Sequence, residues 1–183
     1  IDRFDPKEQL QTLQDFKVNT FCSPYTFCSP PTSLRMLIQE DLSAYTFSLR
    51  ECVSAGEPLN PEIIEVWKKG TGVLIRDGYG QTEATALVAN LPNTVVKFGS
   101  MGKPTFLYNV VIADDEGNEM VTLEEGNICL VQNKDSVNGI FKTYLNDSER
   151  NNLVFKHGLY YTGDKAYKDE EGYLWFVGRD DEV

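Results

Sequence analysis

Histidine and cysteine are scarce in this chain, and their scarcity removes whole classes of chemistry. One histidine and four cysteines in 183 residues, with no Cys-x-x-Cys spacing among Cys22, Cys28, Cys52 and Cys129, leave no obvious zinc set and favour free thiols over a disulfide. Buried, reduced thiols are the expectation. Positive charge is also short: 17 Lys and Arg stand against 28 Asp and Glu, for a net charge of −11. No stretch is basic, which argues against nucleic acid and anionic membranes as partners. No apolar run approaches the roughly 18 residues of a membrane span, and the first residues of the sequence show no signal-peptide pattern. A soluble protein of a reducing compartment is expected, in bacterial cytoplasm or mitochondrial matrix. The absence of an initiator Met, and an end at Glu182 and Val183 straight after a strand-like run, lead us to expect a piece of a longer protein.

What is present alternates between helix and strand in the first half. Asp5 before Pro6, with Glu8 in the first turn, starts a helix that continues through Leu10, Leu13 and Phe16. Strands are expected over 18–22 and 49–54, and a helix over 32–40 with Leu34, Leu37 and Ile38 inward. Asn60 caps a third helix with Pro61 at its first position and Ile63, Ile64 and Trp67 facing the core, and Val73, Leu74 and Ile75 read as a short buried strand. This alternation implies βαβ units and a largely parallel sheet, hence an α/β fold over 1–98. From 99 to 183 the character changes to strand-like runs at 109–113, 128–132, 160–162 and 173–177. Turn clusters at 114–118 and 169–172 separate them and predict a smaller β-rich subdomain. A near-duplication, Thr20-Phe21-Cys22-Ser23-Pro24-Tyr25 followed by Thr26-Phe27-Cys28-Ser29-Pro30-Pro31, is too short for a solenoid repeat.

Ligands of parallel sheets sit beyond the carboxyl ends of strands, and two segments meet that condition. One is Ser54-Ala55-Gly56-Glu57-Pro58-Leu59; the other is Asp77-Gly78-Tyr79-Gly80-Gln81-Thr82-Glu83. In the second, glycines let the backbone turn and approach a ligand, Tyr79 can lie against a base, Thr82 can donate to a phosphate oxygen and Glu83 can hold a hard divalent cation. An ordinary Gly-rich loop at a strand end would carry the same residues, and the heptapeptide alone does not separate the two. Lys68-Lys69-Gly70-Thr71-Gly72 looks like a phosphate loop, but helix C-capping by Gly70 explains it better.

Four segments in order, Gly56-Glu57-Pro58-Leu59, Gly78-Tyr79-Gly80-Gln81-Thr82-Glu83, Tyr161-Thr162-Gly163-Asp164 and Gly178-Arg179-Asp180-Asp181-Glu182-Val183, resemble the adenylate-forming superfamily. The similarity is to AMP-forming acyl-CoA synthetases of the acetate to medium-chain type. It implies a carboxylic acid, ATP and CoA as substrates and Mg²⁺ as cofactor, with an acyl-AMP formed first and a thioester second. By the same resemblance Gly56, Glu57 and Pro58 edge the adenine pocket and Asp77 and Gly78 belong to the nucleotide motif. Tyr79 stacks on the base, Gln81 and Thr82 stand at the nucleotide, and Glu83 holds Mg²⁺. Asp164 accepts the ribose hydroxyls, Arg179 meets the ribose and α-phosphate, and Asp181 is the hinge to a C-terminal domain. Thr82, Glu83 and Arg179 would act in catalysis. Acetate-specific relatives carry a Trp where Gly80 stands, so the resemblance makes Gly80 a marker of an open acyl pocket and of acids longer than acetate. The phosphate-wrapping loop upstream and the lysine-bearing C-terminal domain have no counterpart here, so the 183 residues alone are expected to be inactive. A non-catalytic nucleotide or acyl-AMP binding module, a luciferase and a peptide-synthetase adenylation domain are the alternatives.

Overall fold

The computed structural model describes residues 4–23, 33–132 and 139–180, which pack as two compact units, Ile1–Gly78 and Tyr79–Val183. The sequence changes character near residue 98, where strands begin to pair through turns; the packing divides earlier.

In the first unit, helix α1 (Pro6–Asp15) starts where the sequence says it should. The Asp5 carboxylate accepts from the backbone N–H of Lys7 and Glu8 at 2.8 and 3.1 Å, meeting two of the donors a helix start leaves unpaired. Leu10 and Leu13 are buried. Strand β1 (Thr20–Cys22) is followed by a short helix α2 (Ser33–Leu37), β2 (Glu51–Ala55), α3 (Pro61–Thr71) and β3 (Ile75–Tyr79). Strands β1, β2 and β3 run parallel, with Phe21 opposite Cys52 and Cys52 opposite Ile75. Trp67 of α3 is fully buried and its ring stacks on Phe21 at 5.7 Å.

Three expectations change in this unit. Helix α2 stops at Leu37 instead of running to residue 40, because Asp41 accepts from Ser43 N–H and starts a separate 3₁₀ turn, Leu42–Ala44. Helix α3 ends on Gly72, whose left-handed φ of 79° closes the cap. Gly70 is helical, and glycine there answers packing: an added Cβ would lie 2.6 Å from Leu42 Cβ. The strand expected at 73–75 begins only at Ile75, so Asp77 and Gly78 are strand residues rather than a turn.

The second unit carries a two-residue antiparallel pair, β4 (Val88–Ala89) with β5 (Lys103–Pro104), and an antiparallel sheet. The sheet comprises β6 (Val110–Ala113), β7 (Glu125–Val131), β9 (Leu159–Lys168) and β10 (Leu174–Arg179), in the order β10-β9-β7-β6. Helix α4 (Ser148–Val154) leads into β8 (Phe155–Lys156), which pairs with β9. Strand β7 is buried on both faces: Ile128 and Leu130 join Leu87, Val88, Tyr160 and Leu174 in one cluster, and Cys129 joins Ala113, Leu159 and Tyr161 in another. This is why 128–131 reads as an unbroken apolar run. The 169–172 turn closes a true hairpin, with Asp169 N–H bonded to the Tyr173 carbonyl at 2.9 Å. The 114–118 turn closes only a single bridge between Ala113 and Glu119 before β7 begins at Glu125.

The α/β class with a parallel layer followed by an antiparallel β-rich part is therefore the observed one. Of the cysteines, Cys52 and Cys129 are buried free thiols, pushed up to about 11 and about 12 by burial. Cys22 is free but exposed, against expectation, at the end of β1, where burial alternates along the strand. Cys28 and most of the duplicated segment lie outside the described residues. Among the described residues no helix is long and apolar enough to cross a membrane.

Candidate functional site

The loop after β2 in the first unit is fixed by one buried carboxylate. Gly56 takes a left-handed φ of 102°, a conformation that favours glycine. Asp77, on the neighbouring strand β3, accepts from Leu59 N–H through Oδ2 at 3.2 Å and from Gly78 N–H through Oδ1 at 2.9 Å. Burial pushes this carboxyl up to about 7, and the two backbone donors offset only part of that cost. Asp77 thus clamps the far end of the 56–59 turn. Glu57 Oε2, buried in that turn, has no hydrogen-bond partner among the described residues.

A denser constellation occupies the second unit, centred on Asp164 in β9. Gly163 has φ 79°, and the register between β7 and β9 shifts between Asn127 and Cys129, a bulge that re-aims the following side chain. The Asp164 side chain is buried, and its Oδ2 accepts from the Tyr79 hydroxyl and from Gln81 Nε2, both at 2.6 Å. Arg179, opposite Asp164 in the β9–β10 ladder, reaches Oδ1 only at 3.5 Å and is half exposed. Gln81 also donates to the Thr162 carbonyl at 2.9 Å, while its Oε1 accepts from the Tyr160 hydroxyl at 3.0 Å. Burial first, and the Asp164 charge second, hold the Tyr79 hydroxyl far above the ordinary tyrosine range. Burial also raises Tyr160. Both hydroxyls therefore stay protonated donors at any working pH.

Glu83 is held by another tyrosine: its Oε1 accepts from the Tyr144 hydroxyl at 2.7 Å, and the Tyr144 hydroxyl in turn interacts with that of Tyr160. The Glu83 backbone carbonyl accepts from Phe141 N–H at 2.8 Å, and Ala84 bridges Ile140. Thr82 and Gly80 are exposed. Gly80 has no positive φ, and glycine there answers close packing against the chain's own backbone: a Cβ would lie 2.7 Å from Ala86 N. Among the described residues no three His, Cys, Asp or Glu side chains cluster as a metal cage.

The heptapeptide, β9 and β10 thus bring Tyr79, Gln81, Asp164 and Arg179 together. Thr82 is exposed, Glu83 connects to that cluster through Tyr144 and Tyr160, and Asp77 is turned to the backbone N–H groups of Leu59 and Gly78. Asp181 lies outside the described residues. Sequence reasoning missed Tyr144 and Tyr160. The i, i+2 spacing of Tyr160 and Thr162 on one strand signals a shared face, but nothing local marks Tyr144.

Residues 1–145 match the family model described as AMP-binding enzyme. The chain is 44% identical over 184 residues to acyl-coenzyme A synthetase ACSM3, mitochondrial, of Rattus norvegicus, covering 100% of this chain and 31% of that protein. It is 52% identical over 160 residues to 4-hydroxybutyrate–CoA ligase 1 of Metallosphaera sedula, covering 86% of this chain and 28% of that protein. It also superposes, with TM-score 0.80 and 26% identity, on O-succinylbenzoate coenzyme A synthetase from Bacillus subtilis in complex with ATP and magnesium ion, covering 100% of this chain and 36% of that one. The chain spans about three tenths of the length of these curated relatives. The match over 1–145, with the motif residues gathered around Asp164, places this chain in the AMP-binding enzyme family.

Proposed function

We propose that this chain is part of an AMP-forming acyl-CoA synthetase that adenylates a short- to medium-chain carboxylic acid with ATP and passes the acyl group to CoA. The observation that carries the reading is Asp164. It is a buried carboxylate with one oxygen held by two short donors and the other, among the described residues, met by a long contact from Arg179. That second oxygen suits ribose hydroxyls, at about 1.5–3 kcal/mol for each bond to a charged acceptor.

In this reading the Tyr79 ring lies against adenine while its hydroxyl steadies Asp164, so base and ribose recognition share one side chain. Gly56, Glu57 and Pro58 meet the base edge, with Asp77 fixing their loop and Gly78 continuing the strand. Gln81 holds Asp164 from the nucleotide motif. Thr82 donates to phosphate, and Arg179 places a forked cation at the ribose and α-phosphate. Glu83 fits an ion that arrives with its nucleotide: Mg²⁺ commonly uses one or two carboxylates together with substrate phosphates. Tyr144 engages only one Glu83 oxygen. The ion, when bound, neutralises charge on the departing pyrophosphate. Asp181 serves as hinge to a following domain, and the cytoplasm or mitochondrial matrix is the proposed compartment.

Substrate length rests on Gly80. Gly80 is exposed and tight against the Ala86 backbone, so the reading rests on the resemblance, in which a Trp stands here in acetate-specific enzymes, and on the relative named for 4-hydroxybutyrate, which supports a short acid. Thioester formation with hexanoate and with acetate, measured on the full-length protein carrying this sequence, tests the proposal. Hexanoate should be the better substrate, and a strong preference for acetate contradicts it.

A further inference from the structure

Glu83 is the one carboxylate of the heptapeptide that a cation could reach, and a carboxylate on a loop is free to rotate unless something fixes it. The structure supplies that something in Tyr144. Its hydroxyl donates to Glu83 Oε1 at 2.7 Å, and Tyr144 is itself restrained on several sides. Asn151 holds its backbone twice, accepting from Tyr144 N–H at 2.7 Å and donating to its carbonyl at 2.9 Å. The Arg150 guanidinium lies over its ring at 4.0 Å, and Phe141 packs beside it at 4.7 Å between ring centres. Meanwhile the Phe141 N–H bond to the Glu83 carbonyl and the Ala84–Ile140 bridge tie the two segments at the backbone. Segments 83–84 and 140–151 thus form one braced assembly within the second unit.

We propose that Tyr144 is a positioning residue that holds Glu83 Oε1 by its hydroxyl and so presents the other carboxylate oxygen to the nucleotide-borne divalent cation. This rests on the reading of Glu83 as the cation's residue. A phenol oriented by Asn151 and Arg150 fixes the carboxylate plane without adding charge, and partners of metal ligands commonly matter tenfold or more to metal affinity. Tyr144 touches neither ion nor substrate in this role.

The test is a binding measurement without turnover on the full-length protein, using α,β-methylene-ATP by calorimetry with saturating Mn²⁺ and with excess EDTA. The ratio of the two dissociation constants gives the metal's contribution. Tyr144→Phe keeps the ring and removes the hydroxyl; it should lower that ratio by about tenfold and leave the EDTA value within about twofold. Glu83→Gln should lower the ratio as well, and adding Tyr144→Phe to it should change nothing more. An unchanged ratio in Tyr144→Phe, with a lowered one in Glu83→Gln, overturns the proposal and leaves the Glu83 reading standing. An unchanged ratio in Glu83→Gln overturns both. An equal loss from Tyr144→Phe in both backgrounds shows that Tyr144 does not act through Glu83 and also overturns it. Asn151→Ala, which frees the Tyr144 backbone but keeps the hydroxyl, carries the same prediction at smaller amplitude if Tyr144→Phe does not fold.

Discussion

Asp77 and Asp164 are equally buried, each about 5% exposed, yet they are held in opposite ways. Asp77, in the first unit, is held by two backbone N–H groups. Asp164, in the second, is held by side chains: a phenol, an amide and a distant guanidinium. Backbone donors belong to the fold and cannot be exchanged without moving the chain, so Asp77 acts on the shape of the 56–59 loop. Side-chain donors on a single oxygen leave the other oxygen facing a half-exposed arginine, so Asp164 can take an additional partner. Burial alone does not distinguish the two aspartates. The kind of donor does.

Removing the more exchangeable carboxylate should have the largest effect. Asp164→Ala in the full-length protein should lower kcat/KM for ATP by about 10²–10⁴-fold, the loss of two charged hydrogen bonds at about 1.5–3 kcal/mol each. Steady-state kinetics with ATP varied would read this, and a change under threefold would make Asp164 no different from Asp77. Removing the fixed carboxylate should instead change stability with pH. The folded Asp77 carboxyl is raised to about 7 from an ordinary 3.8, so the folded state binds the extra proton between those values. Its contribution is full below about pH 4 and is lost as pH rises to 7. Asp77→Asn should flatten that slope, by up to a few kcal/mol at about 1.4 kcal/mol per pKa unit, in melting curves taken from pH 4 to 8. A mutant slope matching the parent's would show that Asp77 is not the titrating group.

Packing around glycine gives a smaller effect. Gly70→Ala should destabilise by about 1–3 kcal/mol, although alanine favours helices by about 1 kcal/mol, because its Cβ meets Leu42. A raised melting temperature would show that Leu42 yields. Smallest of the four, Tyr160→Phe removes one donor to Gln81 Oε1 and should cost about 0.5–1.5 kcal/mol, seen as a two- to tenfold rise in KM for ATP. No change would mean that Gln81 holds Asp164 unaided.

Much of this was legible in the sequence wherever the cause is local. Asp5, Asn60 and the Pro residues after them cap helices by contacts within three residues, and the fold class follows from the change in periodicity. What was not legible depends on contacts made across the chain. Gly70 reads as a helix stop until Leu42 is placed against it, and Asp77 reads as a ligand residue until Leu59 is found donating to it. Asp164 is legible through the resemblance alone, and the Gly163 bulge and the Tyr79 and Gln81 donors that hold it are not legible locally. Tyr144, sixty-one positions from Glu83, carries no local signal at all.

Carboxylate-dependent ATP–pyrophosphate exchange, run on the full-length protein against a panel of acids from acetate to aryl acids, tests the central claim most directly. The account predicts exchange with short- to medium-chain acids, lost in Asp164→Ala, and none from the 183-residue chain by itself. Absence of exchange from the full-length protein across the whole panel would contradict it.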